Sequence, residues 1–138
     1  MNISDNGVAK IKLREGERLV AYLDTKGIPT IGVGHTGPEV KLGMRITPGQ
    51  SMAYLKSDLK TAEDAVNKNV KVALTQNQYD ALVSFVFNVG VRAFSTSTLL
   101  KVLNMSNYKE AAAQFNRWVI PPEITKRRMD EKEQFLSP

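Results

Sequence analysis

The chain has no cysteine and a single histidine. Without thiols its stability must rest on packing, and the absence leaves the redox compartment open. One histidine and no cysteine argue against a zinc site, so no metal is expected. No stretch approaches the ~18 apolar residues of a membrane span. The N-terminal MNISDNGVAKIKL lacks the basic segment and apolar run of a secretory leader. The expectation is a protein made in the cytoplasm without stable membrane insertion. If its substrate lies beyond the membrane, something else must let it out. No internal repeat or low-complexity segment is present.

What remains is ordinary in size and basic in charge. A length of 138 residues suits one folding unit with room for two lobes around a cleft. A 42% hydrophobic and 24% charged composition excludes wholesale disorder. The net charge of +5 favours an anionic partner, whether nucleic acid, acidic lipid or an acidic wall polymer.

Residues 4–15 read as a short helix, with Ser4 as its cap and Gly16 at its left-handed end. The helical period then disappears. LVAYL and PTIGVGHT read as strands, joined by a DTKG turn in which Gly27 suits positive φ. From TPGQ at 47–50 onward helices dominate. A Thr cap, Pro at the first position and Gln three residues after the cap open a long helix to about Asn69. TQNQ at 75–78 repeats the device and opens YDALVSFVFNVG, a nearly all-round apolar helix ending at Gly90. STLLKVLN, NYKEAAAQFNRW and a last segment over 123–136 complete the helices. The expected fold is therefore α+β and mostly α-helical. A small helix-and-hairpin lobe (1–46), a connecting helix (47–69) and a helical lobe (70–138) make one domain.

The chemistry concentrates in REGERLVAYLDTKGIPTIGVGHTG, residues 14–37. Glu15 falls in a last helical turn, where the helix carries partial negative charge. That setting favours a carboxyl that keeps its proton, the form a general acid needs. Asp24 opens a polar, exposed turn that suits an ionised partner. Two carboxyl groups in contrasting settings are the layout of glycoside hydrolysis. Each also has a bland reading: Glu15 as a solvated surface residue, Asp24 as a local turn cap. Strand alternation places Ile31, Val33 and His35 on one side and Thr30, Gly32 and Gly34 on the other. The second set offers a hydroxyl and a bare backbone floor for a sugar ring. It serves equally to relieve twist or form bulges. His35, on the core side, reads as structural, paired with an acid on the connecting helix.

The motif EG…L.AY.D..G.PTIG.GHTG resembles the signature of the phage-type lysozymes, the endolysin muramidases of glycoside hydrolase family 24. The resemblance runs on through LTQNQYDALVSFVFNVG, AFSTSTLL, AAAQFNRW and RR…E…FL, covering nearly the whole chain. It implies a lysozyme-like two-lobed fold. It also implies cleavage of the β-1,4 bond between N-acetylmuramic acid and N-acetylglucosamine in bacterial peptidoglycan, without a cofactor. Glu15, Asp24 and Thr30 then correspond to the catalytic set. Glu15 would protonate the glycosidic oxygen, while Asp24 and Thr30 would hold the attacking water or stabilise the cationic sugar. The resemblance pairs His35 with Asp58, places Asn88 on the far wall of the cleft, and implies a monomer released through a pore made by another protein.

Two departures stand out. Relatives carry a longer, glycine-containing loop after the position of Trp118, where this chain runs directly into VIPPEITKRR. The family's basic residue near the catalytic Glu has three candidates, Lys126, Arg127 and Arg128. Arg127 is the choice, with at least two of the three expected on a solvated face. Two rivals remain: a lytic transglycosylase, which can act with a single Glu, and a non-catalytic basic module for wall polymer or nucleic acid. Asp24 and Thr30 weigh against the first. Scattered basic residues and the lack of a recognition helix weigh against the second.

Overall fold

Helix starts written into the sequence are made by side chains in the computed structural model, which describes all residues Met1–Pro138. Ser4 Oγ accepts the Gly7 N–H at 3.0 Å and opens α1 (Asp5–Glu15). Gly16, at φ +76°, closes it by donating its N–H to Lys12 O at 2.8 Å. Thr47 and Gln50 exchange hydrogen bonds of 3.1 and 2.8 Å at the start of α2 (Pro48–Asn69). Thr75 and Gln78 do the same before α3 (Gln76–Val89). Each such cap is worth about 1 kcal/mol. Gly90, at φ +94°, ends α3 by donating to Val86 O. Then follow α4 (Val91–Ser95), α5 (Thr98–Asn104), α6 (Tyr108–Gln114) and α7 (Thr125–Leu136).

The chain forms two compact units, Ala9–Lys60 and Met1–Val8 with Thr61–Pro138, the divisions falling inside α1 and α2. In the larger unit every residue of α3 from Tyr79 to Val86 is buried. That suits its nearly all-round apolar sequence, in which Asp80 and Ser84 are buried polar exceptions. Phe85 meets Phe94, Phe115 and Trp118 edge-on, and Phe115 packs on Phe135 of α7.

The smaller unit holds the hairpin. β1 (Arg18–Leu23) pairs antiparallel with β2 (Pro29–Gly32), with an irregularity between Arg18 and Tyr22. The other edge of β1 is met by residues 44–46, where Ala21 donates to Met44 O and Ile46 to Leu19 O. Ile31, Val40 and Ile46 form its core, with Leu19, Ala21, Met44 and Tyr54 packed around them.

The second strand is shorter than its sequence suggests. It ends at Gly32, and the chain turns back so that Ile31 and His35 exchange two backbone hydrogen bonds of 2.9 Å. Gly32 and Gly34, at φ +66° and +73°, make that reversal possible. Strand alternation therefore stops there, and Thr30 and Ile31 are both buried.

Candidate active site

Three elements of the smaller unit carry the candidate residues: the end of α1, the Asp24 turn, and β2 with the reversal that follows it. Glu15 is presented by the last turn of α1, half-buried, just before the Gly16 cap. Glu17, beyond that cap, instead pairs with Lys12 at 3.3 Å. The Gly32–Gly34 reversal brings exposed backbone to Glu15, since a β-carbon built on Gly34 would lie 3.8 Å from Glu15 Oε2. Gly32 departs from the expected ligand floor. It is buried, and its vacant side-chain position faces Ser51 Oγ at 3.0 Å and Ile46 Cδ1 at 3.5 Å. Gly34 alone keeps the open character.

Asp24 and Thr30 are tied to one residue. Asp24 Oδ1 accepts the N–H groups of Lys26 at 2.8 Å and Ile28 at 2.9 Å, the hydrogen-bonded turn that its position predicts. The Asp24 N–H donates to Ile28 O at 3.0 Å, and Thr30 Oγ1 donates to the same carbonyl at 2.9 Å. The hydroxyl proton is thus committed, so Thr30 turns lone pairs to any further partner. Turn cap and candidate catalyst are compatible roles for Asp24, because only one of its oxygens caps.

His35 Nδ1 lies 2.8 Å from Asp58 Oδ2 on α2, the pairing implied by the resemblance. Its Nε2 has a second partner that the sequence did not reveal, Glu39 Oε1 at 2.6 Å. The ring stacks on Tyr54 with centroids 3.9 Å apart. Burial opposes charging the imidazole, but hydrogen bonds and charges from Glu39 and Asp58 outweigh it and raise its pKa. The hydrogen bond to His35, with the Glu39 backbone N–H, holds the Glu39 carboxyl below its usual range.

The larger unit holds the remaining candidates. Asn88 is exposed in the last turn of α3, and its Oδ1 accepts from Arg128 Nη2. The expectation that two of the three basic residues are solvated fails: only Lys126 is exposed, while Arg127 and Arg128 are buried. The cause is Glu131, fully buried one helical turn away. It accepts from Arg127 Nε at 3.2 Å, from Arg128 Nη1, and from Ser84 Oγ at 2.5 Å. Arg127 also donates to Ser84 O at 3.1 Å, and Arg128 to Trp118 O at 2.8 Å. The RRxxE spacing is the signal that could have found this, since i,i+3 and i,i+4 pairs face each other on a helix.

No cluster of three or more His, Cys, Asp or Glu side chains is arranged to hold a metal ion. No helix is long and apolar enough to cross a membrane.

Comparison with known proteins identifies the family of the chain. Residues 12–131 match the phage lysozyme family. The chain is 50% identical over 145 residues, 99% of each chain, to the endolysin of Salmonella phage P22. To the SAR-endolysin of Escherichia phage Mu it is 48% identical over 98 residues, 71% of this chain and 57% of that one. Among solved structures, a variant of P22 lysozyme superposes with a TM-score of 0.91 at 49% identity, covering 99% of both chains. The muramidase domain of SpmX from Asticaccaulis excentricus gives 0.91 at 40% identity, again over 99% of both chains. With the fold and these matches in agreement, the chain belongs to the phage lysozyme family and is a lysozyme-type muramidase of the peptidoglycan-hydrolysing endolysin kind.

Proposed function

We propose that Glu15 is the general acid of this muramidase and that Asp24 and Thr30 hold the attacking water. Glu15 gives its proton to the glycosidic oxygen between N-acetylmuramic acid and N-acetylglucosamine as the bond breaks. Asp24 uses the carboxylate oxygen left free by the turn to take a proton from water. Thr30 accepts the water's second hydrogen. The observation that carries this division is the shared anchoring of Asp24 and Thr30 on Ile28. It leaves two acceptors and no donor, which suits orienting a water rather than binding a sugar hydroxyl through the threonine proton. Gly34 supplies open backbone beside Glu15. Asn88, steadied by Arg128, contributes to binding the glycan. Arg127, held by Glu131 and Ser84, has a supporting electrostatic role within the larger unit.

On this reading residues 1–138 work as one lysozyme-like domain and as a monomer. The protein accumulates in the host cytoplasm and reaches the wall through a pore made by a separate protein.

Product analysis tests the mechanism. Digestion of peptidoglycan in ¹⁸O-labelled water should leave reducing N-acetylmuramic acid ends that carry one labelled oxygen. Anhydro-muramyl ends without label would replace the hydrolase mechanism with a lytic transglycosylase. A chain that binds peptidoglycan without releasing fragments would be a binding module.

A further inference from the structure

Glu39 lies outside the signature, in a loop, and has no role in the mechanism above. Its carboxylate nevertheless makes a 2.6 Å contact to His35 Nε2, while Asp58 holds Nδ1 at 2.8 Å from the opposite edge of the ring. A neutral imidazole has one N–H and one bare lone pair, so it can satisfy only one of two carboxylates. With anions at both nitrogens, the ring satisfies both contacts only as an imidazolium. Tyr54 stacks its ring on the imidazole face, with an interplanar angle of 13°, and a π-face favours a cation there. Asp58 and Tyr54 from α2 and Glu39 from the loop are the titratable groups facing the ring.

Space for this second carboxylate is reserved in the sequence. A β-carbon at Gly37 would lie 2.6 Å from Glu39 Oε2 and 2.8 Å from Oε1. The glycine of GHTG therefore lets Glu39 fold back over the chain to the ring four residues earlier.

The ring is joined to the site through its own backbone. His35 N–H and C=O close the two hydrogen bonds with Ile31 that define the reversal, and Gly34, the residue beside Glu15 Oε2, sits within that reversal. Whatever holds the His35 side chain holds the turn that faces the acid.

We propose that Glu39 is a positioning residue for the reaction: with Asp58 it clamps the His35 ring and thereby fixes the Gly34 turn against the Glu15 carboxyl. The clamp is intact while His35 is charged and opens once the imidazole loses its proton. Below that transition, turn and acid are in register. Above it, the neutral ring keeps one carboxylate and turns a bare lone pair to the other, and the floor beside Glu15 loosens. The inference rests on Glu15 being the acid.

The test uses the full chain as wild type, Glu39→Gln and Glu39→Asp, with Glu15→Gln alongside. His35 is the only histidine, so one pair of imidazole proton resonances reports its ionisation by NMR without assignment. Activity is followed on soluble peptidoglycan strands at each pH, as the ratio of wild-type to variant kcat. That ratio cancels pH effects common to both proteins. The expected result is a His35 midpoint lower in Glu39→Gln than in wild type. The kcat ratio is flat below the variant's midpoint and rises between the two midpoints. The rise is expected to lie between about threefold and the ~100-fold that a 1 Å misplacement of a reacting group costs. Glu39→Asp, which keeps the charge but shortens its reach, should fall between. Equal midpoints overturn the clamp, and a ratio independent of pH overturns the positioning role. If that happens while Glu15→Gln is inactive, the acid assignment stands without Glu39. If Glu15→Gln keeps its activity, the acid assignment falls, and with it the role proposed for Glu39.

Discussion

Replacing Glu131 with glutamine removes the carboxylate that Ser84, Arg127 and Arg128 share in the interior of the larger unit. The substitution leaves volume almost unchanged, so it creates no cavity, and its cost is electrostatic. Both arginines are buried and Glu131 is completely so; their charges have left water, and both guanidinium groups donate to this one anion. Removing one partner of a buried ion pair costs about 3–5 kcal/mol, because the surviving charge stays desolvated. A chain of this size has roughly 7–20 kcal/mol of total stability, at about 0.05–0.15 kcal/mol per residue. The loss is therefore a large share. At about 4 °C per kcal/mol for a domain of this length, the melting temperature should fall by roughly 12–20 °C. Thermal and urea unfolding followed by circular dichroism at pH 7 measure this, with Lys126→Ala as the comparison. Lys126 is exposed, and its removal should change stability by less than about 0.5 kcal/mol. A Glu131→Gln protein within about 1 kcal/mol of wild type would refute the reasoning, since the arginines would then not depend on this carboxylate.

Gly34→Ala should lower activity more than it lowers stability. The left-handed φ of +73° costs a non-glycine residue about 1–2 kcal/mol, and the methyl group would stand 3.8 Å from Glu15 Oε2. Paired kcat and urea-unfolding measurements separate the two effects, and a loss of stability with unchanged kcat would remove Gly34 from the site. The raised His35 pKa predicts a pH dependence of stability. A group whose folded pKa lies above its unfolded value stabilises fully below the unfolded pKa, near 6.5, and loses that contribution as pH rises through the folded pKa. Melting temperature should therefore decline on the alkaline side of 6.5 in wild type, and His35→Asn should remove that part of the decline. Parallel curves for the two proteins would contradict it.

Much of the helical architecture is legible because its signals are local. Thr47 with Gln50, Thr75 with Gln78, and glycines 16 and 90 each act within one turn of chain, so their identities suffice. The Asp24 turn is legible for the same reason. Residues 29–36 misled because alternation assumes continuous pairing. Two positive-φ glycines instead reverse the chain after Gly32, and Gly32 turns inward to Ser51. Glu39 was invisible because its contact depends on a loop folding over Gly37, a tertiary fact without periodicity. The burial of Arg127 and Arg128 was missed for a different reason. Adjacent charges near a C-terminus suggest a solvated face, and only the acid one turn further, read with the neutral Ser84 of α3, shows that they point inward.

The central claim is that Glu15 supplies the proton that breaks the glycosidic bond. Its most direct test is kcat/KM of Glu15→Gln against wild type on purified peptidoglycan near neutral pH, with folding checked by circular dichroism. General acid catalysis contributes about 10²–10⁴-fold, and the amide has no acidic proton to give. The account predicts a loss of that size in a protein that unfolds like wild type, and a Glu15→Gln enzyme within about tenfold of wild type would contradict it.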